Sequence, residues 1–182
     1  CFMDLLIKNG TIVTAKEMFK ADIAVNGEKI QAIGHDFDES NFKTSIDADN
    51  KLILPGAMDG HTHLALSFGG TTTSDDYFAG TRSAACGGTT TVFDFVNQAH
   101  GEKMLDAVKR RDALASVDAA VDYSFHIGVS DVESEGMLES MEDAVEFGIP
   151  SFKVFMVYEY GVDEGSFFKV LCKSKEIGAL VG

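Results

Sequence analysis

Two histidines stand two residues apart at the end of Pro55-Gly56-Ala57-Met58-Asp59-Gly60-His61-Thr62-His63, after the apolar run Leu52 to Leu54. In a strand, residues i and i+2 face the same way, about 6.6 Å apart. Two neutral imidazoles on one face can converge on a single metal ion, and zinc and similar cations suit such ligands. Alone, a His-x-His pair is a weak signal, so its meaning depends on what else the chain can bring to it. One candidate is Lys153, inside the run Phe152 to Val157. Burial disfavours an ammonium and can lower a lysine from about 10.4 to about 5–6. The uncharged amine can add carbon dioxide to form a carbamate, whose two oxygens can bridge two metal ions about 3.5–4 Å apart. The competing reading is a lysine that snorkels to the strand end and pairs with an acid. Tyr158, five residues on, can donate a hydrogen bond to a developing oxyanion, or simply pack the rim as an amphipathic aromatic. His126, beside Phe125, reads as a structural histidine, and His35 and His100 fall in polar loops as solvated ones. Asp94 can orient a metal ligand or cap a loop.

Those residues need elements to hold them. Up to residue 54 the chain reads as short strands at Leu5–Ile7, Thr11–Val13, Ala21–Val25, Ile30–Ile33, around Ile46 and at Leu52–Leu54. Asn26-Gly27 between two of them is a hairpin signal. From Pro55 the texture changes to apolar strands alternating with amphipathic helices. Strands are predicted at Thr89–Phe95, Tyr123–Val129, Phe152–Val157 and Ala179–Val181. Helices are predicted at Asp75–Cys86, Glu102–Val117 (with Leu105, Val108 and Leu114 on its buried side), Ser134–Phe147 and Ser166–Ile177. Strand starts fall roughly 30 residues apart, the length of a βαβ unit. The predicted fold class is α/β: 1–54 as the N-terminal part of a small β-sandwich, and 55–182 as the first half of a (β/α)8 TIM-type barrel, four βα units and the start of strand five. Such a barrel takes about 250 residues, so the chain is expected to be a truncated piece of a longer protein. A complete five-stranded doubly wound sheet is the rival, but no glycine-rich phosphate loop follows its first strand. In a parallel barrel the site lies at the C-terminal strand ends, where His61 and His63 fall.

Composition removes other classes. The 182 residues carry a formal net charge of -14, with 29 acids against 15 Lys and Arg. That argues against a nucleic-acid surface, which needs clustered cations, and against an anionic membrane. No run of 18 apolar residues spans a membrane and the N-terminus does not read as a signal peptide. Met3 is read as the native start. Cys1, Cys86 and Cys172 make no spaced pair, which points to reduced thiols and a cytoplasmic setting. Cys86 and Cys172 are expected to fill the core.

Several further stretches carry a resemblance: Asp4 to Gly10, Pro55 to His63, Phe68-Gly69-Gly70-Thr71-Thr72, Thr81 to Ala85, Gly87 to Thr90, Ser151 to Met156, and Tyr158. With these the chain resembles the dihydropyrimidinase and D-hydantoinase family of cyclic amidohydrolases along nearly its whole length. The resemblance implies a barrel plus a β-sandwich built from both chain ends, assembled as a homotetramer. It implies two zinc ions, with His61 and His63 on one and carbamylated Lys153 bridging both, and Tyr158 stabilising the tetrahedral oxyanion. It implies a small cyclic ureide as substrate, a hydantoin or dihydropyrimidine opened to an N-carbamoyl amino acid. Dihydroorotase-like chains carry an arginine after the His-x-His and allantoinase-like chains an Asn-Glu-Pro stretch; here Leu64-Ala65-Leu66 follows. Leu64, Leu66, Phe68 and Phe155 suit a neutral ring with an apolar substituent, and Ser67 stands where the family often has proline. The family's remaining ligands, two histidines, and its catalytic aspartate come from later strands, so residues 1–182 alone are expected to be inactive. The alternative is a non-catalytic structural or signalling relative on the same fold, which would have lost the metal ligands.

Overall fold

A break in the chain's packing falls between Pro55 and Gly56, dividing it into Cys1–Pro55 and Gly56–Gly182. The structure, a computed structural model, describes residues 2–158 and 160–182. Cys1 therefore lies outside the described residues.

The first unit contains β1 (Met3–Lys8), β2 (Thr11–Val13), β3 (Met18–Lys20), β4 (Asp22–Asn26), β5 (Lys29–Gly34), a 3-10 turn at Glu39–Asn41, β6 (Phe42–Asp47) and β7 (Leu52–Ile53). They form a four-stranded sheet, β5-β4-β1-β6, and a three-stranded one, β3-β2-β7. Asn26-Gly27 does turn a hairpin: β4 and β5 run antiparallel with Asn26 opposite Lys29. Leu6, Ala24 and Phe42 make one small core, and Ile12, Ala21 and Ile23 another. One expectation changes here: Met18–Lys20 is an additional strand. The apolar run before the histidines pairs Leu52 with Thr11 and Ile53 with Ile12, so it belongs to this unit.

The second unit continues with β8 (Ala57–Thr62), β9 (Ser67–Phe68), β10 (Thr71–Thr72), α1 (Tyr77–Cys86), β11 (Thr89–Asn97), α2 (Met104–Asp118), β12 (Asp122–Val129), α3 (Ser140–Phe147), β13 (Ser151–Val154), α4 (Glu164–Ile177) and β14 (Leu180–Val181). Strands β8, β11, β12, β13 and β14 lie side by side in chain order, all parallel. This is a curled α/β sheet of the kind that begins a barrel. The two-residue period of its strands sorts their side chains. Val92, Val96, Phe125, Ile127, Val129, Phe152 and Val154 face the helices, where they pack against Met104, Val108, Met141, Ala144 and Val170. The residues between them, Phe93, Phe95, His126 and Lys153, take the opposite face.

Capping explains the helix starts. Asp76 accepts from the Ala79 N–H at 2.8 Å and Asp163 from the Ser166 N–H at 2.8 Å; such caps contribute roughly 1 kcal/mol each. Four expectations are corrected. The third helix begins at Ser140, not Ser134, because Gly136 at φ 76° interrupts the preceding turns. On α2 the buried stripe is Met104, Ala107, Val108, Arg111 and Ala115, while Leu114 is exposed. Cys86 and Cys172 are exposed free thiols, not core fillers. Strand β13 also ends at Val154, leaving Met156 and Val157 exposed in the following loop.

Candidate functional site

The histidine strand is irregular. Val92 opposes Asp59 and Asp94 opposes Thr62, so three steps of β8 face two of β11. Such a bulge re-aims the side chains beside it. His61 falls within it and His63 lies one residue past the strand. Their rings stand 5.1 Å apart, centroid to centroid, and nearly perpendicular at 88°. Both lean on Phe95, at 4.6 and 5.0 Å. The two rings are brought beside each other by a bulge and not by plain alternation. Partial burial of its ring, then the neighbouring His61, lower the His63 pKa below the usual 6.5, which favours the neutral imidazole that binds metals.

Lys153 emerges from β13 on the same face, half-buried, between Phe152 and Val154, which point into the core. It lines one cavity with His61, of about 210 Å³, together with His126 and Phe95. Its Nζ lies 5.2 Å from the centre of the Phe155 ring. Among the described residues no carboxylate pairs with it, so the acid-paired reading of this lysine has no partner there. A second cavity, of about 340 Å³, is lined by His63, Leu66, Phe68, Phe95, Phe155, Tyr158 and Tyr160 among others. Phe95 is the wall common to both. Lys153 and Tyr158 line different cavities, one on each side of it.

Tyr158 is 67% exposed and holds φ 70°, in the left-handed region that a tyrosine seldom enters. Its ring meets Phe68 at 6.2 Å and Phe155 at 6.4 Å, both edge-on. Phe68 is presented by the β9–β10 hairpin, whose turn is Gly69-Gly70 at φ 58° and 78°. Two successive positive φ values make the primed turn that hairpins favour, and glycine adopts it freely. That dipeptide is the sequence signal for the hairpin. Leu64 does not join the apolar wall; it is buried in the core.

The remaining candidates sort cleanly. His126 is held structurally: its Nε2–H donates to the Gly60 carbonyl at 3.0 Å, and Ser151 Oγ donates to its Nδ1 at 2.5 Å. His100 is exposed but reaches Asp131 at 3.1 Å. Asp94 caps the loop after the histidines, accepting from the Leu64 N–H at 3.2 Å, and is itself met by Arg111 and Tyr77. Arg111 carried no sequence signal, since one arginine within a charged helix face looks solvated.

No family model matches the chain. It is 43% identical to the D-hydantoinase of Geobacillus stearothermophilus over 98% of its own length and 38% of that protein's. With the dihydropyrimidinase of Dictyostelium discoideum the figures are 37%, 97% and 35%. The crystal structure of dihydropyrimidinase from Brevibacillus agri superposes with a TM-score of 0.91 at 44% identity, covering 97% of this chain and 38% of that one. The chain thus spans under two-fifths of the length of these relatives. Sequence and fold agree along nearly all of it: the chain belongs to the D-hydantoinase and dihydropyrimidinase family.

Proposed function

We propose that the whole protein opens the ring amide of a hydantoin or dihydropyrimidine to an N-carbamoyl amino acid. The observation that carries this reading is the arrangement around Phe95, with His61 and Lys153 lining one side and His63 and Tyr158 the other. The donor set fits a metal centre: two imidazoles 5.1 Å apart, and a lysine with no acid partner among the described residues. His61 and His63 would hold one cation, and carbamylated Lys153 would bridge a pair of zinc ions. Bound there, the pair would polarise the ring carbonyl and ease ionisation of water. Water's oxygen stays on the carbonyl carbon, the ring C–N bond breaks, and the ring nitrogen takes a proton. The Tyr158 hydroxyl donates to the oxyanion that forms on that carbon. Leu66, Phe68 and Phe155 exclude water and accept an apolar ring substituent. The same reading carries a homotetramer and a cytoplasmic setting, and it leaves residues 1–182 alone inactive.

Lys153→Ala in the full-length protein tests it. Turnover and zinc content should both collapse, and added short carboxylates should restore part of each. Full activity in that variant would refute the reading.

A further inference from the structure

We infer that Asp94 and Arg111 are positioning residues for the His61–His63 pair, a buried acid–guanidinium latch that sets where the two imidazoles stand. The inference rests on the metal-holding reading above and deepens it. Strand pairing alone does not fix the pair. β8 has one neighbour, β11, and their register slips beside His61. His63 lies past the last paired residue, Thr62.

What holds the chain at that point comes from the helix side of the sheet. Asp94 Oδ1 accepts from the Leu64 N–H at 3.2 Å, while Oδ2 accepts from Tyr77 Oη at 2.5 Å, Arg111 Nε at 3.1 Å and Arg111 Nη2 at 2.7 Å. Arg111 also donates to the Leu64 carbonyl and, at 3.2 Å, to the Ala65 carbonyl. Both backbone polar groups of the residue after His63 are thereby tied to one ion pair. Ala65 is held at φ 43°, left-handed backbone that an alanine keeps only where its surroundings impose it. The Asp94 and Arg111 side chains are 0% and 8% exposed, so water offers little competition. A guanidinium fork can serve a carboxylate and two carbonyls at once; a lysine ammonium is a single point of charge.

An ion pair that only fills the core would stabilise the fold without affecting metal binding. The two roles separate in the full-length protein by competing zinc against a chelator in the wild type, Arg111→Lys, Tyr77→Phe, His61→Ala and Tyr123→Phe. The last is the control, since Tyr123 bonds Asp112 at 2.7 Å and makes no bond to the loop. Arg111→Lys should bind zinc about 10–100-fold more weakly, the usual cost of disturbing a ligand's support. Tyr77→Phe should shift the same way by less, and Tyr123→Phe not at all. Amide exchange at Leu64 in the zinc-free protein should quicken in Arg111→Lys. Wild-type zinc affinity in folded Arg111→Lys, or an equal loss in Tyr123→Phe, overturns the latch. Should Arg111→Lys not fold, an unchanged affinity in Tyr77→Phe overturns it. His61→Ala separates the two failures. If it keeps wild-type zinc affinity, the metal reading falls; if it loses zinc while Arg111→Lys does not, only the latch falls.

Discussion

At the scale of single residues, Tyr158 combines two costs: an exposed aromatic and a left-handed backbone worth about 1–3 kcal/mol of strain. Strain of that kind survives where position matters more than local comfort. Tyr158→Phe keeps the edge contacts to Phe68 and Phe155 and removes only the hydroxyl. The expected result is a fall in kcat of about 10²–10³, the usual effect of losing one oxyanion donor, with zinc content unchanged; steady-state kinetics and metal analysis check it. Asp131 makes a separate prediction about stability. Burial would raise its pKa, but hydrogen bonds from Ser134 Oγ, the Ser134 N–H and the Gly101 N–H, with His100 nearby, more than offset that and take it from 3.8 to about 2. A carboxyl whose pKa is depressed in the folded state stabilises the fold above its unfolded pKa. The contribution is about 2 kcal/mol at neutral pH. It fades as pH falls from about 4 toward 2. Urea midpoints of the wild type and Asp131→Asn should therefore differ at pH 7 and converge near pH 2.

Elements decide how such residues are aimed, and here sequence and structure part company in instructive ways. The two-residue spacing places His61 and His63 on one strand face, a weak signal alone that gains meaning only beside Lys153 and the family resemblance. The bulge that brings their rings together was not legible, since it depends on how β11 pairs with β8. Helices were legible from their caps and glycine stops, but on α2 Leu105 and Leu114 drew the buried face the wrong way. The true stripe holds alanines and a charged Arg111, which hydrophobic periodicity counts as weak or polar. Cys86 and Cys172 misled for the opposite reason: apolar neighbours made an exposed position look buried. The loop after β13 is set by Gly161, whose N–H donates to the Tyr158 carbonyl at 3.1 Å. A Cβ there would sit 2.7 Å from the Val157 carbonyl oxygen and 2.9 Å from its nitrogen. Backbone atoms cannot swing aside as a side-chain tip can. Gly161→Ala should therefore displace Tyr158 and lower kcat, as losing its hydroxyl does, while zinc content and the far-UV spectrum stay at wild-type values. An unchanged kcat would show that the loop repacks without moving the tyrosine.

For the molecule as a whole, the second unit ends its five-stranded sheet on two strands with one neighbour each, β8 and β14. Both edges carry exposed apolar side chains, Met58 at 66% and Leu180 at 70%. Unpaired parallel edges are templates for pairing with another copy. Opposing this is charge: at -14, two copies of the chain repel. The repulsion is long-ranged only at low salt, since the Debye length falls from about 30 Å at 0.01 M to about 10 Å at 0.1 M. Edge pairing acts at contact distance and is not screened. Residues 1–182 expressed alone should therefore self-associate, and more so as salt rises, which is the reverse of association held by ion pairs. Light scattering across that salt range gives the answer, and a chain that stays monomeric at 0.5 M salt would mean that the edges are protected by something other than charge.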